Sequence, residues 1–260
     1  MLDVIERGAD GRRTPLLFVH GAFHGAWCWD AHFLDFFADR GHHALALNLR
    51  GHGDSPLEGP LNACSIADYV EDVRSVAATL PRPPVVIGHS MGGFLVQKYL
   101  AAQTAPAAVL IASAPPRGLA RAMARVTRRN IRYSGRPAAL RRPLVFFAEP
   151  AVARSTFYCR HTPDEIVAHT TAALCDESTR VLYHDLVYRD LARPAQVRVP
   201  MLVLGAELDG FFTPAEIRAT ARAYRAEVQL FPETGHNMML EPGWRDVARR
   251  IDTWLDGIGL

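Results

Sequence analysis

PVVIGHSMGGFLVQKYLAA, residues 84–102, joins a short apolar run to a helical pattern through a serine flanked by glycines. Val85-Val86-Ile87 reads as a strand buried on both faces, and Phe94 to Ala102 reads as a helix. Between them Gly88-His89-Ser90-Met91-Gly92 is a G-x-S-x-G turn in the strand–turn–helix context that gives that pattern its meaning. A strand that reverses into a helix within about one residue strains the backbone at the serine and leaves no room for side chains at 88 and 92. The hydroxyl of Ser90 is thereby presented at a helix N-terminus, where developing negative charge is favoured.

Outward from this turn the same alternation repeats. Short apolar runs lie at Leu16–Val19, Ala44–Leu47, Ala108–Ile111, Met201–Leu204 and Val228–Phe231, with LDVIERG as an N-terminal strand. Helical patterns lie between them. Ser65 with Asp68 marks one helix start, Thr213-Pro214 another, and Trp244 to Leu255 is the last amphipathic helix. Strands of four to six residues alternating with helices predict an α/β chain with a mostly parallel central sheet and helices on both faces. The alternation breaks from Pro115 to Arg198. There helical patterns run without strands, among them Arg117–Arg132 and a helix capped at Thr162-Pro163-Asp164-Glu165. The organisation predicted is a core of residues 1–114 and 199–260 with a helical cap inserted at 115–198.

A serine hydroxyl is inert until a base removes its proton, and the base needs a carboxylate to orient it. Asp209 follows the run Met201–Leu204, and His236 follows Val228–Phe231 behind Gly235. Both positions are strand-end loops, where open α/β sheets place their sites. Glu207 is the competing carboxylate, less far out on its loop. The remaining histidines read as ordinary groups: His42, His43, His161, His169 and His184 as surface or satisfied residues, and His52 and His89 as turn residues. Acyl transfer also needs two oxyanion donors. The backbone N–H of Met91 and that of Ala22, in the loop His20-Gly21-Ala22-Phe23-His24-Gly25, are the candidates, with Phe23 in reserve. Phe23, His24, Phe147, Phe211 and Met238 are candidates for an apolar substrate pocket, with Phe146, Phe212 and Met239 beside them.

With these residues in place the chain resembles the α/β-hydrolase superfamily with a helical cap. The segments that carry the likeness are HGAFHGAWCW (20–29), NLRGHGDS (48–55), GHSMGG (88–93), LGAELDGFFTP (204–214) and GHNMMLEP (235–242). HGAFHGAWCW is similar to the branch that holds esterases, plant methylesterases and hydroxynitrile lyases. The resemblance implies Ser90 as nucleophile, His236 as base, Asp209 as its orienter, and Ala22 and Met91 as oxyanion donors. It implies hydrolysis of an ester or thioester with no cofactor and no metal. The lyases use a lysine near the catalytic histidine. Here Asn237, Met238 and Met239 follow His236, and Lys98 is the single lysine. Serine at 90 also departs from the dehalogenase and epoxide-hydrolase branches, which use aspartate there. Carbon–carbon bond cleavage with the same triad and slow-turnover ligand sensing stand as alternatives.

Composition sets the outer limits. The chain has 260 residues, 49% hydrophobic and 22% charged, enough for a sizeable core and unlike a disordered chain. Cys28, Cys64, Cys159 and Cys175 are scattered and read as small buried hydrophobes in a reducing compartment. No signal peptide or membrane-length apolar run is visible, so a cytoplasmic location is expected. The net charge of +2 gives no basic balance for nucleic acid. It conceals segregation, however: residues 115–198 hold 15 Arg and no Lys against seven acids. That excess reads first as a solvated helical face and second as an attraction for an anionic substrate.

Overall fold

The computed structural model describes residues 1–134 and 142–260. Residues 135–141 of the expected cap lie outside the described residues. Seven strands form one sheet: β1 (Val4–Arg7), β2 (Leu16–Val19), β3 (Ala44–Leu47), β4 (Val85–His89), β5 (Ala108–Ile111), β6 (Met201–Ala206) and β7 (Glu227–Phe231). Their order across the sheet is β1-β3-β2-β4-β5-β6-β7. β1 pairs antiparallel with β3, and every other pair is parallel.

The short apolar runs become strands because both faces of the sheet are covered. Leu16 and Phe18 of β2 pack into one core layer, and Leu17 and Val19 into the other. β4 divides the same way, with Val85 and Ile87 on one side and Val86 on the opposite side. This period-two alternation with no polar face is the signature of a parallel sheet between helices. One layer is closed by helices Trp27–Asp30, Phe33–Ala38 and Trp244–Gly257, and it contains Trp29, Phe33 and Trp254. The other is closed by Ile66–Ala77, Met91–Tyr99 and Pro214–Tyr224. Each fully buried aliphatic or aromatic side chain contributes roughly 1.5–3 kcal/mol relative to exposure.

Caps act where the sequence signals them. Ser65 accepts from the Asp68 N–H while Asp68 accepts from the Ser65 N–H at 2.8 Å. Thr213 and Glu216 form the same reciprocal box. The aromatic run after Trp27 forms two short helices, Trp27–Asp30 and Phe33–Ala38. Two helix expectations are corrected. The pattern Arg117–Arg132 splits into Ala120–Arg129 and Ile131–Ser134, because Asn130 leaves helical geometry and bonds back to Val126 O. Thr162 does not cap its helix. Pro163 takes that place, while the Thr162 carbonyl accepts from Arg154 at 2.8 Å.

Between β5 and β6 the described residues form helices and no strand. Besides the two just named these are Leu144–Phe147, Pro150–Phe157, Asp164–Ala172, a wide π-type helix, Val181–Arg189, and a 3₁₀ turn, Pro194–Gln196. All four cysteines are free thiols; Cys28, Cys64 and Cys159 are buried and Cys175 is half-buried. Among the described residues no helix is long and apolar enough to cross a membrane.

Candidate active site

Ser90 follows β4 and precedes the helix Met91–Tyr99, with φ 52° and ψ −116°. A non-glycine residue held there stores on the order of 1–3 kcal/mol of strain, which the surroundings must enforce. They do so by contact. A Cβ on Gly88 would lie 2.4 Å from Gly92 O, and one on Gly92 would lie 2.2 Å from Val19 O. The Ser90 N–H donates to Ile111 O (3.1 Å), and Ser90 O accepts from the Ala114 N–H (3.0 Å). The neighbouring strand ends therefore clamp the turn on both sides.

His236 Nδ1 lies 2.9 Å from Asp209 Oδ2, both side chains being buried. A carboxylate at Nδ1 holds the ring proton there and leaves Nε2 as the basic nitrogen. The second carboxylate oxygen of Asp209 accepts from the N–H groups of Phe211 (2.6 Å) and Phe212 (3.0 Å). These bonds fix the rotamer of Asp209 and satisfy its charge. Glu207, the sequence competitor, is exposed on the same loop.

Ser90 and His236 line one pocket with Ala22, Phe23, His24, His89 and Met91. Its remaining walls are apolar: Leu119, Met123, Phe147, Phe157, Leu182, Leu186, Phe211 and Phe212. About 440 Å³ of empty space lies between these side chains and at the mouth. Little of it is wide enough to admit a water molecule. Among the described residues no cluster of three or more His, Cys, Asp or Glu is arranged to hold a metal ion.

The loop at residues 20–25 is held by two buried histidines. His20 Nδ1 donates to Gly21 O (2.9 Å), and His20 Nε2 accepts from the Leu49 N–H (3.2 Å). The bond to Gly21 O fixes the peptide plane that carries the Ala22 N–H. His24 Nδ1 donates to Ala22 O (2.8 Å), and its Nε2 accepts from Asn237 Nδ2 (3.1 Å). Asn237 Nδ2 also donates to Tyr158 OH (3.1 Å). Burial lowers the pKa of His24 to about 4 and keeps His20 and His89 neutral as well. Each then has a defined tautomer, with one donor and one acceptor.

The sequence candidates divide as follows. Ser90, His236, Ala22, Met91, Phe23, His24, Phe147 and Phe211 are brought to one pocket, with Asp209 behind His236. Met238 is corrected. It is fully buried in the core layer of Trp29 and Trp254, on the sheet face away from the pocket walls, as is Met239. Residues 234–241 are all buried, with Met238, Met239 and Leu240 together in that layer, and the sequence carries no mark of which sheet face takes them. His89 and His52 are more than turn residues. His89 ends β4, lines the pocket and reaches His236 O at 3.0 Å. His52 is buried 3.3 Å from Glu177. Leu119, Met123, Phe157, Leu182 and Leu186 went unidentified in the sequence, because their strandless segment offers helical patterns but no indication of the face turned to Ser90.

The fold and this arrangement define a class: a doubly covered, mostly parallel sheet that offers a serine at a strand–helix turn beside a carboxylate-oriented histidine. The chain belongs to the alpha/beta hydrolase family, whose sequence profile matches residues 16–250. Methylesterase 18 of Arabidopsis thaliana is 37% identical over 79 residues, covering 30% of this chain and 29% of the relative. A non-heme haloperoxidase of Rhodococcus erythropolis is 36% identical over 110 residues, covering 41% of this chain and 39% of the relative. The chain thus spans between a quarter and two fifths of these curated relatives. Among solved structures, a thermophilic esterase from Thermogutta terrifontis superposes with a TM-score of 0.76 at 20% identity, covering 100% of this chain and 94% of that one.

Proposed function

We propose that the chain is a cofactor-independent serine hydrolase that cleaves a carboxylic ester or thioester through an acyl-enzyme on Ser90. The observation that carries this reading is the 2.9 Å His236–Asp209 pair, set in the same apolar pocket as a serine at φ 52°. Ser90 Oγ attacks the carbonyl carbon while His236 Nε2 takes its proton. The N–H groups of Ala22 and Met91 hold the oxyanion, and Asp209 stabilises the imidazolium. Collapse breaks the bond to the leaving oxygen or sulfur, which takes the proton from His236. Water, deprotonated by His236, then attacks the acyl carbon; the bond to Ser90 Oγ breaks, Ser90 takes the proton back from His236, and the carboxylic acid leaves.

The apolar walls favour an uncharged acyl group, and the narrow free space favours a short one. The methylesterase relative agrees with an ester as substrate. In this reading residues 115–198 act as a cap that shapes the pocket, through Leu119, Met123, Phe157, Leu182 and Leu186. A panel of p-nitrophenyl esters of increasing acyl length tests the proposal. Turnover with a pre-steady-state burst is expected on acetate and butyrate, and Ser90→Ala should lower kcat by about 10³-fold or more. Absence of turnover on every ester and thioester of the panel by the folded wild type would count against it.

A further inference from the structure

The helix Ala120–Arg129 and the turn before it carry two kinds of arginine. Arg125 donates to Phe211 O (2.6 Å) and to both carboxylate oxygens of Glu216 (3.0 and 2.6 Å), and Arg129 donates to Gly210 O (3.0 Å). Those two are engaged with the loop after β6. Arg117 and Arg121 are exposed, as is Arg222 of the helix Pro214–Tyr224. These three line a second, open concavity of about 690 Å³ between the two helices. Its one lining carboxylate, Glu216, is already bound by Arg125, so no lining residue offers countercharge to the three guanidinium groups.

We propose that this groove is a binding site for a phosphate-bearing anion. Guanidinium groups present planar pairs of N–H donors that match phosphate oxygens. Three of them on the walls of one concavity concentrate positive potential there, and an anion between them relieves their mutual repulsion. The mount is rigid. The Gly118 N–H donates to Pro115 O (2.8 Å), the Leu119 N–H donates to Leu186 O (2.8 Å), and Pro116 lies within the turn. Gly118 has φ +83°, and a Cβ there would lie 2.3 Å from Leu186 O. Arg117 is therefore held on a turn that loses little backbone freedom when a ligand arrives. The opposite side of the same segment, through Leu119 and Met123, lines the Ser90 pocket. The groove lies outside that pocket and does not depend on its chemistry.

A soluble polyphosphate and a lipid phosphodiester headgroup share this chemistry, and two probes separate them. Inorganic pyrophosphate is titrated into the full chain by calorimetry. Vesicles of phosphatidylglycerol are compared with vesicles of phosphatidylcholine by co-sedimentation. Both are repeated with Arg117→Gln, Arg121→Gln and Arg222→Gln, singly and together, and with Arg249→Gln on the helix packed against the other sheet face. The wild type should bind pyrophosphate, less tightly as salt rises. Each single change should weaken binding by about tenfold, the value of one charge-assisted contact. The triple variant should not bind, and Arg249→Gln should bind as the wild type does. Retention on phosphatidylglycerol alone, lost in the triple variant, assigns a headgroup; pyrophosphate binding without vesicle retention assigns a soluble anion. Failure of the wild type to bind both probes, or binding by Arg121→Gln and Arg222→Gln as tight as that of the wild type, overturns the proposal. Circular dichroism checks that each variant is folded, and the single variants carry the comparison if the triple one is not.

Discussion

His236 and Asp209 meet at 2.9 Å from loops that follow two adjacent parallel strands, β7 and β6, which are held in register from Leu202–Glu227 to Ala206–Phe231. The sheet thus sets the separation of the two loops, and the N–H groups of Phe211 and Phe212 set the angle of the carboxylate. Asp209→Asn keeps the shape but offers His236 an amide in place of an acceptor-only group. Under the proposed mechanism kcat should fall by about 10³–10⁴-fold on a p-nitrophenyl ester, with a smaller change in KM. An effect below tenfold would mean that Asp209 does not orient the base.

Gly92→Ala should be among the most destabilising single-methyl changes in the chain. The added carbon would fall 2.2 Å from Val19 O and 2.5 Å from His20 O, backbone atoms that cannot yield without moving β2. Overpacking of this kind costs about 1–3 kcal/mol, and here the upper end is expected. Urea unfolding of variant and wild type gives the difference directly.

Arg125 and Arg129 reach from the helix Ala120–Arg129 to the carbonyls of Phe211 and Gly210, which flank the N–H groups bound by Asp209. Arg125→Met should therefore loosen that loop. The expected outcome is a roughly three- to tenfold lower kcat with KM less affected, since both residues are partly exposed and their bonds are screened by water. Steady-state kinetics on one ester, with Arg125→Lys as the conservative comparison, measures it.

Acid should destabilise the fold through its buried histidines. Burial lowers the pKa of His20, His24 and His89, His24 to about 4. In the unfolded chain these groups titrate near 6.5, so below that value the unfolded state binds more protons than the folded one. Stability is therefore full above about pH 6.5 and declines as pH falls toward 4, by up to about 1.4 kcal/mol per pH unit for each such histidine. His52 works in the opposite sense. Burial alone would lower its pKa, but Glu177 beside it more than offsets this and raises it. Its stabilisation is present below about 6.5 and fades as pH rises through the raised value. His52→Gln should accordingly lose most relative to the wild type near pH 6 and least in alkali. Urea titrations at pH 5, 6, 7.5 and 9 measure both trends.

Leu119, Met123, Leu182 and Leu186 line the Ser90 pocket beside its aromatic residues. Leu186→Ala should widen it and shift the preferred p-nitrophenyl ester toward longer acyl chains. Its fold stability should fall by about 2–5 kcal/mol. An unchanged chain-length profile would mean that acyl groups do not pass this wall.

Much of the core was legible because its signals are local. Leu16–Val19, Ala44–Leu47 and Ala108–Ile111 form strands with the bounds their apolar runs gave. The elbow is a matter of glycines a few residues apart, and the capping box at Ser65 is one of side chains three residues apart. What was not legible depends on contacts distant in sequence. Met238 is buried in a layer built by residues far away in the chain, Trp29 and Trp254 among them, each from another helix. The break at Asn130 and the wide helix Val181–Arg189 have no punctuation by proline or glycine within them. Glu177 reads as an ordinary surface acid until the fold places it 3.3 Å from His52 and 2.7 Å from Tyr69 OH.

The central claim is that Ser90 is the nucleophile activated by His236. It is tested most directly by labelling the folded chain with a fluorophosphonate and locating the adduct by peptide mass mapping. One adduct is expected on the peptide containing Ser90, lost in Ser90→Ala and strongly slowed in His236→Ala. A folded wild type that resists the reagent, or an adduct that persists in Ser90→Ala, would contradict it.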